Sequence, residues 1–157
     1  MKQKGQRKHP ALRALLAVLL ALALLAAAGF AAYRFWWLPR GGVAVHFGDL
    51  GQGDGAIVVC EGKTLVIDSG MPESGAKMVD YLQNTLHVST VDYMIGTHPH
   101  ADHIGGLPDV IAAFDVKTLY SPVDEFEAKP FEAMKRAADE KKLKITVPQA
   151  GQSFSLG

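Results

Sequence analysis

The sequence predicts an α/β domain, a sheet layered with helices, preceded by one transmembrane helix. Three observations predict it. Between Arg13 and Arg34 lie twenty residues without a charge, ALLAVLLALALLAAAGFAAY. Short apolar stretches rich in β-branched residues follow, VAVHF, AIVVC and TLVID, the last two separated by a tight turn. Beyond them, helix-spaced and strand-like segments alternate. Turn-linked strands followed by alternating strand and helix are the pattern of a sheet covered by helices.

As a helix rising about 1.5 Å per residue, the uncharged twenty reach about 30 Å, the thickness of a bilayer's hydrocarbon core. No polar face interrupts the run, which argues against the core helix of a soluble domain. Lys2, Lys4, Arg7, Lys8 and Arg13 precede it, and only Arg34 and Arg40 follow before the domain begins. The positive-inside rule therefore predicts a single pass of a cell membrane, N-terminus cytoplasmic and domain extracytoplasmic. Tyr33, Trp36 and Trp37 suit the aromatic belt at the outer interface. A cleaved signal peptide is the rival reading, with residues 14–25 as its apolar core and Ala26-Ala27-Ala28 as its cleavage site, and it would leave the domain secreted. Apolar and aromatic residues continue well past that site, which favours an uncleaved anchor. The chain thus divides into a basic tail 1–13, an anchor 14–33, a linker 34–42 and a domain 43–157.

Within the domain, strands are expected at 43–47, 56–60 and 64–68, the last two joined by the turn EGK, which makes the opening antiparallel. Residues 74–86 place Met78, Tyr81, Leu82 and Leu86 at helical spacing. A strand at 91–97, a helix at 104–114, a strand at 116–120, a helix at 128–142 and a strand at 144–147 complete the alternation. In the last helix Phe131, Met134 and Ala138 should face inward and the charged run KRAADEKK outward. The single cysteine, Cys60, excludes an internal disulfide framework and a cysteine zinc cage, and its apolar run reads as a buried small hydrophobe. The net charge of zero hides a division. Residues 1–40 hold seven Lys/Arg and no acid, whereas residues 41–157 hold nine Lys/Arg and all sixteen Asp/Glu. An acidic domain lacks the basic footprint of a nucleic-acid binder, so any contact with nucleic acid should be weak and local.

The stretch GTHPHADHIGG, residues 96–106, holds half of the chain's six histidines. It follows a strand end and precedes a helix, so its side chains converge at the rim of the sheet. Imidazole and carboxylate are zinc's nitrogen and oxygen ligands, bound near 2 Å. Alternation puts His98 and His100 on one side of the local chain, while Asp102 and His103 can turn toward a neighbouring point. The remaining histidines, His9, His46 and His87, read as tail, structural or surface residues. Gly105 and Gly106 read as sites of close backbone packing.

THPHADHIGG resembles the signature of the metallo-β-lactamase-fold hydrolases. The motifs HFGDLGQGDGAIVV, LVIDSG and VDYMIGTHPHADHIGGL, in that order, resemble more narrowly the domain attached to late-competence (ComEC-type) DNA-uptake proteins. The resemblance covers residues 43–120 closely and 121–157 more loosely. It implies an αββα sandwich, here its N-terminal half, with two zinc ions at the edge of the paired sheets. His98 and His100 match ligands of the first metal, and Asp102 and His103 match ligands of the second. Asp102 would also orient the hydroxide that acts as nucleophile. Asp68 matches the family's acid beside the metal loop, where a carboxylate can take a histidine's free N–H. Asp49, Gln52 and Asp54 match the branch's first motif. Asp49, Asp54 and Asp68 are equally readable as turn-forming carboxylates beside glycine.

The resemblance implies a third histidine for the first metal, a bridging acid and a final histidine for the second, all in the later half of the fold. No histidine follows His103, and GQSFSLG reads as the opening of another strand. The expectation is an N-terminal fragment of a longer membrane-anchored hydrolase, its activity weak or absent alone. Three functions compete: zinc-dependent hydrolysis of phosphodiesters or nucleic acid, hydrolysis of a lactam, thioester or other small ester, and a non-catalytic membrane-anchored binding domain. The charge asymmetry generates a test of topology. A reporter fused after Gly157 should be active only outside the cytoplasm, and cytoplasmic reporter activity would contradict the orientation.

Overall fold

The computed structural model describes residues 10–36 and 42–157, which belong to two separate units. The basic residues up to Lys8, and Trp37 with the linker to Gly41, lie outside the described residues, as does the side chain of Trp36. The first unit holds one helix, α1 (Pro10–Trp36), whose stretch Ala11–Tyr33 contains an 18-residue window of mean hydropathy 2.6 and is long and apolar enough to cross a membrane.

The second unit is a mixed α/β fold. Its strands are β1 (Val43–Phe47), β2 (Ala56–Cys60), β3 (Lys63–Ile67), β4 (Thr90–Ile95), β5 (Asp115–Tyr120) and β6 (Ile145–Thr146), and they form one sheet in chain order. β1, β2 and β3 pair antiparallel, as the short turn between β2 and β3 requires. β3 to β6 pair parallel, each connection crossing over through helix. Between β3 and β4 lie a 3-10 turn (Pro72–Ser74), α2 (Gly75–Asp80) and a π turn (Tyr81–Thr85). Between β4 and β5 lie α3 (Ala101–Ile104) and α4 (Leu107–Ala113), and between β5 and β6 lies α5 (Lys129–Glu140). Right-handed crossovers that step in one direction along a sheet put their helices on one face. Accordingly α4 packs against both α2 and α5.

The register shows how alternation sorts the two faces. His46, Ile57, Val66, Met94, Leu119 and Ile145 are aligned across successive strands, and the central four are at most 1% exposed. They meet Met78, Leu82, Leu107, Val110, Ile111, Phe131, Met134 and Ala138 from the helical layer in one apolar core. The adjacent row, Val45, Val58, Leu65 and Tyr93, faces away from the helices. On that face Val43, Val45 and Phe47 are exposed, while Phe154 stacks on Tyr93 at 4.4 Å and on Tyr120 at 5.6 Å between ring centroids.

Four local expectations change. The helix expected over 74–86 relaxes into the π turn after Asp80, with Leu86 N–H bonded to the Tyr81 carbonyl. The helix expected from Ile104 begins at Ala101, inside the histidine motif, and breaks at Gly105-Gly106 before α4. A Cβ on Gly106 would stand 2.7 Å from the Ser69 carbonyl oxygen and 2.8 Å from the Gly75 backbone, so the break is where two backbones touch. Cys60 is only partly buried, because its strand position faces the less covered side of the sheet. The segment expected to open another strand, 151–157, has no strand pairing.

Leu119 sits at 0% exposure in the buried row. Leu119→Ala should lower the unfolding free energy by about 2–5 kcal/mol, whereas Glu140→Gln on the exposed side of α5 should change it by less than about 0.5 kcal/mol. Urea unfolding of the detergent-solubilised chain, followed by circular dichroism, measures both.

Candidate metal centre

The histidine loop starts where β4 ends. Parallel strands leave their C-terminal ends at one edge of the sheet, and both β3 and β4 release their chains there. From β3 the chain runs directly into Asp68, and from β4 into Gly96, Thr97 and His98. Asp68 is 2% exposed and has φ 54°, a left-handed backbone that an aspartate tolerates better than most residues. That turn lets Ser69 N–H bond to the His103 carbonyl at 2.8 Å and Gly70 N–H to the Asp54 carbonyl at 2.8 Å. Asp54 N–H in turn bonds to the Asp102 carbonyl at 3.0 Å. Gly53 makes this approach possible: its φ is 118°, and a Cβ there would strike the Asp102 carbonyl and Gly70. Three segments distant in sequence are thus stitched by their backbones.

The Asp68 carboxylate organises the side chains. Its Oδ1 accepts Thr97 N–H at 2.8 Å, and its Oδ2 accepts the Thr97 hydroxyl at 2.5 Å and His103 Nδ1–H at 2.9 Å. The other ring nitrogen, His103 Nε2, lies 3.6 Å from Asp54 Oδ2 and 3.8 Å from Asp102 Oδ2. The three imidazoles form one cluster, not two separate pairs. The His98 ring centroid is 3.8 Å from that of His103 and 4.8 Å from that of His100. His100 is exposed, and His98, Asp102 and His103 are partly buried.

Of the candidate site residues, the structure therefore brings His98, His100, Asp102, His103, Asp68 and Asp54 together. It does not bring Asp49 and Gln52 to them. Both are exposed and make no side-chain hydrogen bond or ion pair among the described residues, and Asp49 lines a groove with Phe47, Ile57, Met78 and Tyr81 instead. His46 lies 3.1 Å from the Tyr81 hydroxyl, away from the cluster. Thr97 is the residue that sequence reasoning missed. Its hydroxyl lies 3.1 Å from His98 Nδ1 as well as bonding to Asp68, and the only signal was a hydroxyl directly before the first histidine.

The donor chemistry suits a divalent metal. With Nδ1–H given to Asp68, neutral His103 offers an Nε2 lone pair toward two carboxylates. An acceptor facing two acceptors is unfavourable unless a cation or proton lies between them. Ligands each about 2.1 Å from one tetrahedral zinc stand about 3.4 Å apart, close to the 3.6 and 3.8 Å found here. Yet among the described residues no three His, Cys, Asp or Glu side chains are already arranged to hold an ion. The residues fit a metal by chemistry and by pairwise spacing, without a closed cage.

Comparison with known proteins agrees with this architecture. Residues 48–156 match the Metallo-beta-lactamase superfamily. The chain is 32% identical over 89 residues to metallo-beta-lactamase domain-containing protein 1 of Xenopus laevis, covering 52% of this chain and 38% of that protein. It is 42% identical over 55 residues to hydroxyacylglutathione hydrolase of Vibrio parahaemolyticus, covering 34% of this chain and 21% of that protein. The matched region thus spans well under half the length of either relative. Among solved structures, MEM-A1, a subclass B3 metallo-beta-lactamase from a soil metagenome library, overlaps with a TM-score of 0.43 at 19% identity, covering 48% of this chain and 29% of that one. With the family match extending over most of its domain, the chain belongs to the metallo-beta-lactamase superfamily.

Proposed function

We propose that this chain carries the metal-binding portion of a membrane-anchored, zinc-dependent hydrolase. The superfamily typically binds zinc and its members are generally hydrolases. The observation that carries the reading is His103, held by Asp68 at Nδ1 and facing Asp54 and Asp102 at Nε2, with the His98 ring tilted against it at 3.8 Å between centroids. His98, His100, Asp102 and His103 would hold the metal. A divalent ion there supplies Lewis-acid polarisation of the bond under attack and a water that is nucleophilic at neutral pH. Asp68 keeps His103 in the tautomer whose Nε2 is a donor to metal. Asp102, its side chain 41% exposed, can accept a proton from a water at the mouth of the site. The apolar helix α1 supports anchoring, and the excess of basic residues before it favours a domain outside the cytoplasm.

For the substrate we favour a phosphodiester, on the resemblance of the motifs around Asp49, Asp68 and His98 to the ComEC-type branch. The domain's surplus of acids disfavours long polyanions, so a small phosphodiester suits it better than a nucleic-acid strand. Thioester hydrolysis is the second reading, favoured by the 42% identity to hydroxyacylglutathione hydrolase.

Zinc titration of the chain by calorimetry tests the metal: Asp68→Asn should weaken binding about 10–100-fold, and His100→Ala should weaken it too. Affinity unchanged in both variants would remove the cluster from the proposal. Turnover tests the chemistry. Asp102→Asn should remove whatever hydrolysis of an activated phosphodiester the unaltered chain shows, whereas Asp109→Asn, exposed on α4 and packed beside Gly75 of α2, should leave it near its starting rate. Faster turnover of a hydroxyacylglutathione than of the phosphodiester would replace the first substrate by the second.

A further inference from the structure

We propose that Thr97 is a positioning residue whose hydroxyl relays the buried charge of Asp68 to His98, so that one carboxylate sets the tautomer of two histidines. The argument is a count of protons. The Thr97 hydroxyl has one hydrogen and lies 2.5 Å from Asp68 Oδ2. A carboxylate can only accept, so the hydroxyl donates its hydrogen there. Toward His98 Nδ1, 3.1 Å away, the same oxygen then has only lone pairs to offer. The contact is a hydrogen bond only if Nδ1 carries the proton. A neutral imidazole has one N–H, so His98 Nε2 must be the bare nitrogen.

The same carboxylate oxygen accepts His103 Nδ1–H directly, at 2.9 Å, and bares His103 Nε2 by the same logic. Asp68 can serve both because it is 2% exposed and its other oxygen is held by Thr97 N–H, which leaves little room for water to compete. The ring of His100 has no such partner. It makes no side-chain hydrogen bond among the described residues, and its tautomer is left to the preference of the free side chain, which favours a proton on Nε2. A histidine side chain left to itself would point its proton, not its lone pair, at a ligand approaching Nε2. Asp68 and Thr97 reverse that preference at two positions before any ligand arrives. Only the purpose of this arrangement rests on the metal-binding reading above, since the geometry exists without a metal.

The test uses the full chain in detergent, labelled with ¹⁵N in the histidine rings, metal-free under chelation and above about pH 8, where imidazoles are ordinarily neutral. The ring nitrogen shifts of His98 and His103 should report a protonated Nδ1 and a bare Nε2, and those of His100 the opposite. Thr97→Val, which keeps the shape and removes the hydroxyl, should return His98 to the Nε2–H form while leaving His103 as it was. Thr97→Ser should restore the wild-type pattern at His98. In parallel, cobalt(II) affinity read from its visible spectrum should fall about 10–100-fold in Thr97→Val and recover in Thr97→Ser. A wild-type His98 carrying its proton on Nε2 overturns the relay whatever the variants do, and so does a folded Thr97→Val protein with an unchanged His98. If Thr97→Val does not fold, the wild-type tautomer and Thr97→Ser decide the question. Should the tautomers be as described while neither zinc nor cobalt binds, the metal-binding reading fails and the relay stands.

Discussion

The site depends on burying one negative charge. Taking a carboxylate out of water costs several kcal/mol unless its lone pairs are satisfied, and Asp68 is almost wholly enclosed. Its three hydrogen bonds come from Thr97 and His103, the two ends of the histidine loop. The loop can satisfy the charge only by closing around it, and closing around it aims the imidazoles. The same residue holds a left-handed backbone, at a strain of about 1–2 kcal/mol, and that turn sends Ser69 and Gly70 to the carbonyls of His103 and Asp54. The side chain thus ties this turn to the histidine loop, and the backbone after it ties the turn to the loop again and to the Asp54 segment.

Around this point the sheet is unequal on its two sides. The row Ile57, Val66, Met94 and Leu119 is sealed by a helical layer, and the order of the crossovers places that layer on one face. The opposite face keeps Val43, Val45 and Phe47 exposed and gathers Tyr93, Tyr120 and Phe154 into an aromatic stack. Asp68 and the histidines sit at the end of the sheet where β3 and β4 release their chains, so they depend on the buried row for their footing.

Much of the fold was legible because periodicity is local. The apolar twenty, the antiparallel opening and the alternation of strand and helix all express a spacing that a short window reveals. The helix start at Ala101 was not legible, because a motif rich in histidine carries no apolar period. Nor was the partial exposure of Cys60, since AIVVC is apolar on both sides of the strand and only the third dimension says which side is covered. At the site, the residue types and their crowding within His98–His103 could be read directly, but partnership could not. Asp54 and Asp49 occur in one short motif with the same chemistry, yet only Asp54 reaches His103, because Gly53 turns the chain against Asp102. Thr97 escaped notice because a threonine before a histidine is ordinary until Asp68, twenty-nine residues earlier, is seen to face it.

The three histidines and Asp102 lie within six residues of one another, whereas Asp54 and Asp68 come from far back in the chain. If these four residues hold a metal as proposed, an unfolded chain would already carry all of them on one short peptide, and folding would add only the two distant carboxylates around them. A ligand stabilises a fold by the difference between its affinities for the folded and unfolded states. The histidines, present in both, add little to that difference. On that proposal, coupling between metal and fold would be vested in Asp68 and Asp54, and an ion held on the nascent chain would have little stabilising effect on the sheet until those two carboxylates arrived.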